Sequence, residues 1–134
     1  MKKIFLFLLA IAGIFYTSCK KTDRNDTEDG PGEVYGKWKL TETMFDPGDG
    51  SGRYKKVTGD AKYLTIEKSA DKAGNFKGDA VPDIYAFRIL DSVRMEVFSN
   101  TYKMPLTYRY KVSAKSLLLN PPCIEGCGYR FVRE

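Results

Sequence analysis

The stretch Met104-Pro-Leu-Thr-Tyr-Arg-Tyr-Lys-Val112 places an apolar or aromatic residue at every second position, with polar residues or proline between them. A period of two lines one face of an extended strand, so this segment has one buried side and one wet side. The same alternation returns in Trp38, Leu40 and Met44, in Leu64 and Ile66, in Tyr85, Phe87 and Ile89, and in Val93, Met95 and Val97. Between these runs lie short clusters of Gly, Asp, Asn, Ser and Pro, which are turn formers. Strands are expected at 36–45, 62–68, 84–90, 93–99, 104–112, 115–120 and 128–133, with a short one near Phe76. Seven or eight strands joined in order by short connections predict an all-β chain, an antiparallel up-and-down meander closing into a barrel of about eight strands. A sandwich is the alternative, because periodicity does not report closure.

The first residues follow another logic. Met1-Lys2-Lys3 is a charged start, Ile4 to Tyr16 is an apolar run, and Thr17-Ser18 are small residues before Cys19. That is the layout of an export signal. The apolar run falls short of the roughly 20 residues a membrane-spanning helix needs. Tyr16-Thr17-Ser18-Cys19 resembles the lipobox of bacterial lipoproteins, with Tyr16 departing from the usual aliphatic residue. The resemblance implies cleavage after residue 18, lipid on Cys19, and a protein anchored to a membrane rather than spanning it. Lys20, in place of the aspartate that retains many such proteins at the inner membrane, implies the outer membrane. Asp23, Asp26, Glu28 and Asp29 resemble the acidic tethers of some surface-exposed lipoproteins. Lys20 to Glu33 is polar throughout, and a coil of that length spans on the order of 20 Å. The expected organisation is a signal peptide over 1–18, a lipidated cysteine and tether over 19–33, and one domain over 34–134.

The domain opens with Gly36-Lys37-Trp38, which resembles the Gly-x-Trp that begins the first strand of lipocalins. With the meander and the terminal Tyr129-Arg-Phe-Val-Arg133, the likeness is to the small lipocalin-like domains of Gram-negative lipoproteins. It implies that Trp38 closes one barrel end beneath an arginine of the last strand. Arg130 is taken as that partner, and Arg133 is the alternative. The candidate barrel lining is Trp38, Leu40, Tyr85, Phe87, Met95, Tyr108, Tyr110 and Phe131. Such aromatic residues serve equally as a packed core or as the wall of an apolar pocket.

Cys123-Ile-Glu-Gly-Cys127 precedes the last strand, and in an oxidising envelope two cysteines this close read as a disulfide. A thiol-redox centre is the minor alternative. With no histidine in the chain and no second cysteine pair, no metal site is expected. Asp46-Pro-Gly-Asp-Gly-Ser-Gly52 gathers acids and glycines as calcium loops do, but it lacks the spaced ligands of an EF-hand and reads more simply as a long hairpin loop. The polar, glycine-bearing segments 69–78 and 78–83 are expected to ring one barrel mouth.

No catalytic set is visible: there is no histidine, no Gly-x-Ser-x-Gly and no phosphate-cradling loop. Glu42, Glu67 and Glu96 read as members of solvated strand faces, and neither an enzyme nor a cofactor is expected. The formal charge of +5 falls by two when Lys2 and Lys3 leave with the signal. The remaining cations are scattered along the chain, which does not suit nucleic acid. Two functions follow as expectations. The first is a carrier of a small apolar ligand at the outer membrane. The second is a non-enzymatic envelope protein, an inhibitor or accessory subunit, that uses the barrel as a scaffold for a protein partner.

Overall fold

In the computed structural model the described residues are 32–134. The export signal, Cys19 and all but the last two residues of the tether lie outside them. Nine strands follow one another: β1 Gly36–Phe45, β2 Lys55–Lys56, β3 Tyr63–Ala70, β4 Ala73–Gly78, β5 Ile84–Ile89, β6 Arg94–Ser99, β7 Leu106–Val112, β8 Ser116–Asn120 and β9 Cys127–Arg133. The described residues contain no helix.

Every pairing is antiparallel and, from β3 onward, joins strands consecutive in sequence. β1 closes the sheet. Its first half pairs with β3, Trp38 opposite Leu64, while its length from Trp38 to Phe45 pairs with β9. The result is an eight-stranded closed barrel, which settles barrel against sandwich. A β-bulge between Leu40 and Glu42 bends β1, and its second half then carries β2 on the edge that β3 has left, Glu42 opposite Lys56. β2 was not expected. Its two lysines carry no apolar alternation, and only the hairpin from β1 brings them into register.

In an up-and-down barrel, alternate connections fall at opposite ends. At the tryptophan end lie the β3–β4, β5–β6 and β7–β8 turns with the start of β1 and the end of β9. At the disulfide end lie the connections from β1 to β3, β4 to β5, β6 to β7 and β8 to β9. Segments 69–78 and 78–83 therefore do not share a mouth. The first is a tight hairpin at the tryptophan end plus β4 itself, and only the second rims the disulfide end.

Three positions differ from the inward alternation expected. A bulge between Ile84 and Ala86 puts two residues of β5 against one of β6. Ile84 and Phe87 therefore face the core, and Tyr85 is left 49% exposed. Met104 is 75% exposed because β7 begins only at Leu106. Pro105, with no N–H to donate, cannot extend the ladder. Val93 lies in the β5–β6 turn and is likewise exposed.

Candidate functional site

The tryptophan end is closed by the chain's own entry segment. Val34 is buried, and its carbonyl accepts a 2.8 Å bond from Trp38 Nε1. The Arg133 guanidinium stacks 4.1 Å above the Trp38 ring, an attraction between a cation and the negative face of the indole. Its three nitrogens each donate to a carbonyl: Nε to Ala114 at 2.7 Å, Nη1 to Tyr35 at 2.9 Å and Nη2 to Glu33 at 2.6 Å. One side chain thus ties β9, the β7–β8 turn and the entry segment together.

Gly36 explains the Gly of the Gly-x-Trp pattern. Its φ is +129°, and a Cβ there would sit 2.7 Å from Arg133 Nη1, so a side chain would displace the guanidinium. Arg130 does not take this part. It lies on the outer face, with its guanidinium 3.7 Å from the Tyr54 ring centroid and Nη1 donating 2.9 Å to Glu42. The physical reason is parity along β9: Phe131 is buried, so Arg133 two residues on shares its side of the sheet and Arg130 does not.

Of the candidate lining residues, Trp38, Leu40, Phe87, Met95, Tyr108, Tyr110 and Phe131 all face inward and are buried, and Tyr85 is the exception. Trp38, Met95 and Leu119 have no exposed surface, so no water-sized void lies against them. Phe76 and Phe87 pack with ring centroids 4.8 Å apart, and Tyr35 caps Phe87 at 6.3 Å. The Phe87 ring also fills the space where a Cβ of Gly74, its partner across β4 and β5, would stand.

The interior tyrosines sit in unlike surroundings. Tyr110 donates to the Asp91 carbonyl at 2.8 Å, near the tryptophan end, and its pKa is raised by burial first and then by Asp91 and Tyr35. Tyr108 is pushed up to about 12 by burial, assisted by Tyr129, Asp83 and Tyr102, which gathers these four at the disulfide end. Burial raises Tyr129 as well. Asp83 braces two loops of that mouth, since its Oδ1 accepts from Thr101 N at 3.1 Å and Oγ1 at 2.8 Å.

The same mouth carries the cysteines. Cys123 and Cys127 are bonded, with Cα atoms 5.9 Å apart. Between them Ile124 projects with 99% of its surface exposed. Phe45, at the end of β1, and Tyr102 and Met104, on the β6–β7 connection, are also exposed large apolar residues. The disulfide loop and the loop after β1 are joined, Asp46 N donating to the Gly126 carbonyl at 3.0 Å. Both Asp46 carboxylate oxygens are occupied by its own loop, through Gly48 N at 2.9 Å and Gly52 N at 3.1 Å. That makes segment 46–52 a self-capped hairpin connection rather than a ligand cage. Among the described residues no group of three or more acidic or cysteine side chains is placed to hold a metal ion.

Two grooves lie on the outside of the barrel. One of about 370 Å³ crosses β7, β8, β9 and β1, and another of about 480 Å³ lies between β1, β2 and β9. They share Thr41 and Val132. Their outward-facing residues carry no pattern in the sequence that sets them apart from any solvated strand face.

Fold and site together define a small, closed, antiparallel eight-stranded barrel with one end plugged by Trp38 and Arg133 and the other rimmed by apolar and acidic loops. No protein-family model matches the chain, and no curated protein or solved structure matches it.

Proposed function

We propose that this chain is a lipid-anchored envelope protein, held at an outer membrane through Cys19, whose lipocalin-like barrel is a scaffold for a non-enzymatic interaction with a protein partner. The observation that carries the reading is the contrast between interior and rim. Trp38, Met95 and Leu119 inside the barrel have no exposed surface, while Phe45, Tyr102, Met104 and Ile124 stand in solvent at one mouth. Exposed large apolar groups gathered at one end of a domain commonly mark an interface. A disulfide across the loop that carries Ile124 lowers the ordering entropy that binding would otherwise cost.

The anchor fits that arrangement. The chain enters the domain at Gly32, packed against the Ser113 carbonyl beside the β7–β8 turn, at the tryptophan end. A lipid on Cys19 would therefore tether one end and leave the disulfide end facing solvent. The connections at that end carry Asp46, Asp49, Asp60, Asp79, Asp83 and Glu125 against Arg53, Lys62 and Lys103, with Lys55 and Lys56 on β2. A partner offering apolar side chains among charges of both signs suits such a rim. Carriage of a small apolar ligand has less support, because the space such a ligand would use is occupied around Trp38, Met95 and Leu119.

Site-specific photo-crosslinking in cells tests the reading. A crosslinker at position 124 or 45 is expected to capture one discrete protein adduct, and one at Tyr85 on the barrel wall is expected to capture none. Equal capture from all three positions, or none from any, would overturn it.

A further inference from the structure

We propose that the outer wall formed by β7, β8, β9, β1 and β2 is a docking face for an anionic phospholipid surface. This rests on the reading of Cys19 as a lipid anchor and adds to it which side of the barrel meets the bilayer. The two halves of the barrel treat their charges differently. On β3 to β6 the cations are largely neutralised: Lys77 lies 2.7 Å from Glu67, Arg94 lies 2.7 Å from Asp91, and Arg88 pairs with Glu96. The other half presents Lys37, Lys39, Lys56, Arg109 and Arg130 outward. Its strands contain a single carboxylate, Glu42, which is already engaged 2.9 Å from Arg130. Among the described residues no carboxylate lies within ion-pair distance of Lys39, Lys56 or Arg109.

The two outer grooves run along this same half, edged by Lys39, Lys56 and Arg130. Val132, 41% exposed, lies on their shared border. Cations around a partly apolar floor suit phosphate headgroups with the upper part of their acyl chains. The place where the chain enters selects this wall over the opposite one. Gly32 packs on Ser113, and Ser113 lines the 370 Å³ groove across β7 and β8. An anchor upstream of Gly32 is thus attached at the rim of the basic wall, and a tether that spans on the order of 20 Å keeps the barrel close enough to the bilayer for that wall to reach the headgroups. The disulfide-end mouth remains free for its partner.

The test uses the chain from residue 19 with Cys19→Ser, so that covalent lipid contributes nothing, and vesicles of phosphatidylcholine with or without phosphatidylglycerol. Cosedimentation is expected only with phosphatidylglycerol and is expected to fall as salt rises. Each Lys or Arg near an anionic surface strengthens partition roughly fivefold, so Lys39→Glu with Lys56→Glu should weaken it by at least about 25-fold. The matched change of net charge at the disulfide end, Lys62→Glu with Lys103→Glu, should leave most of the binding in place.

Absence of phosphatidylglycerol-dependent binding, or equal loss in both double variants, overturns the proposal. So does a chain that proves dimeric through this wall by light scattering. Binding that appears only after Asp23, Asp26, Glu28 and Asp29 are changed to their amides also overturns it, because the occupant would then be the acidic leader. Whether Cys19 carries lipid is read separately, from incorporation of labelled palmitate in cells, so failure of the anchor and failure of the docking face are distinguishable.

Discussion

Replacing Arg133 by methionine removes the clasp at the tryptophan end while keeping an apolar stem over the indole. The native guanidinium makes three hydrogen bonds to carbonyls, two facing solvent and the one to Tyr35 half-buried. Hydrogen bonds to a charged group contribute about 1.5–3 kcal/mol, and exposed ones lie at or below the low end. The stacking on Trp38 adds about 1 kcal/mol. Water reaches the freed carbonyls of Ala114 and Glu33, so the expected loss is about 3 kcal/mol. For a domain of this size that lowers Tm by roughly 12–24 °C.

Urea denaturation followed by the fluorescence of the single tryptophan reads the change directly, with the slope expected to stay constant. Arg133→Lys keeps the charge but not the fork, and about half of the loss is expected. Arg130→Met is the contrast. Its ion pair is half exposed on the arginine side, and a loss of no more than about 1 kcal/mol is expected. An Arg133→Met protein within about 0.5 kcal/mol of the wild type, or one no less stable than Arg130→Met, would refute the reasoning.

Gly78→Ala should destabilise by about 2–4 kcal/mol in the same assay, because φ is +120° and the added methyl would meet the Tyr63 carbonyl. Tyr108 holds its proton up to about pH 12 in the fold against about 10 when unfolded. The neutral phenol therefore favours the folded state fully below pH 10, and that contribution is lost as pH rises from 10 through 12. Alkaline unfolding by circular dichroism should begin later in Tyr108→Phe than in the wild type. Reducing the Cys123–Cys127 bond should lower stability by about 2 kcal/mol, the chain-entropy value for so short a loop, and chemical denaturation with and without reductant measures it.

The sequence carried much of this fold because alternation survives wherever a strand keeps a regular register. β1 was legible from Gly36 to Phe45, since Trp38 and Leu40 alternate with lysine and threonine and the loop begins at Asp46-Pro-Gly. Met95 and Val97 on β6 and Phe131 on β9 were legible for the same reason. Tyr85 was not, because a bulge is a property of two strands and the residues of β5 alone do not encode how β6 meets them. Met104 continues the alternation in sequence but not in the sheet, because Pro105 has no N–H to give the ladder.

The clasp was half legible. Gly36 and Trp38 pointed to it, and the parity of Phe131 and Arg133 was available to separate Arg133 from Arg130. The exposed rim was the least visible part. Apolar residues in loops look in a sequence like further core, and only closure of the barrel shows that Ile124 and Phe45 have nothing to pack into.

The most direct measurement of the central account is the mass of the intact protein extracted from its own cells in mild detergent and analysed under native conditions. The account predicts a polypeptide beginning at Cys19, carrying covalent lipid, with Cys123 and Cys127 oxidised and no small molecule retained inside the barrel. A stoichiometric non-covalent apolar ligand would contradict the packed scaffold, and an unlipidated Cys19 would contradict the anchor.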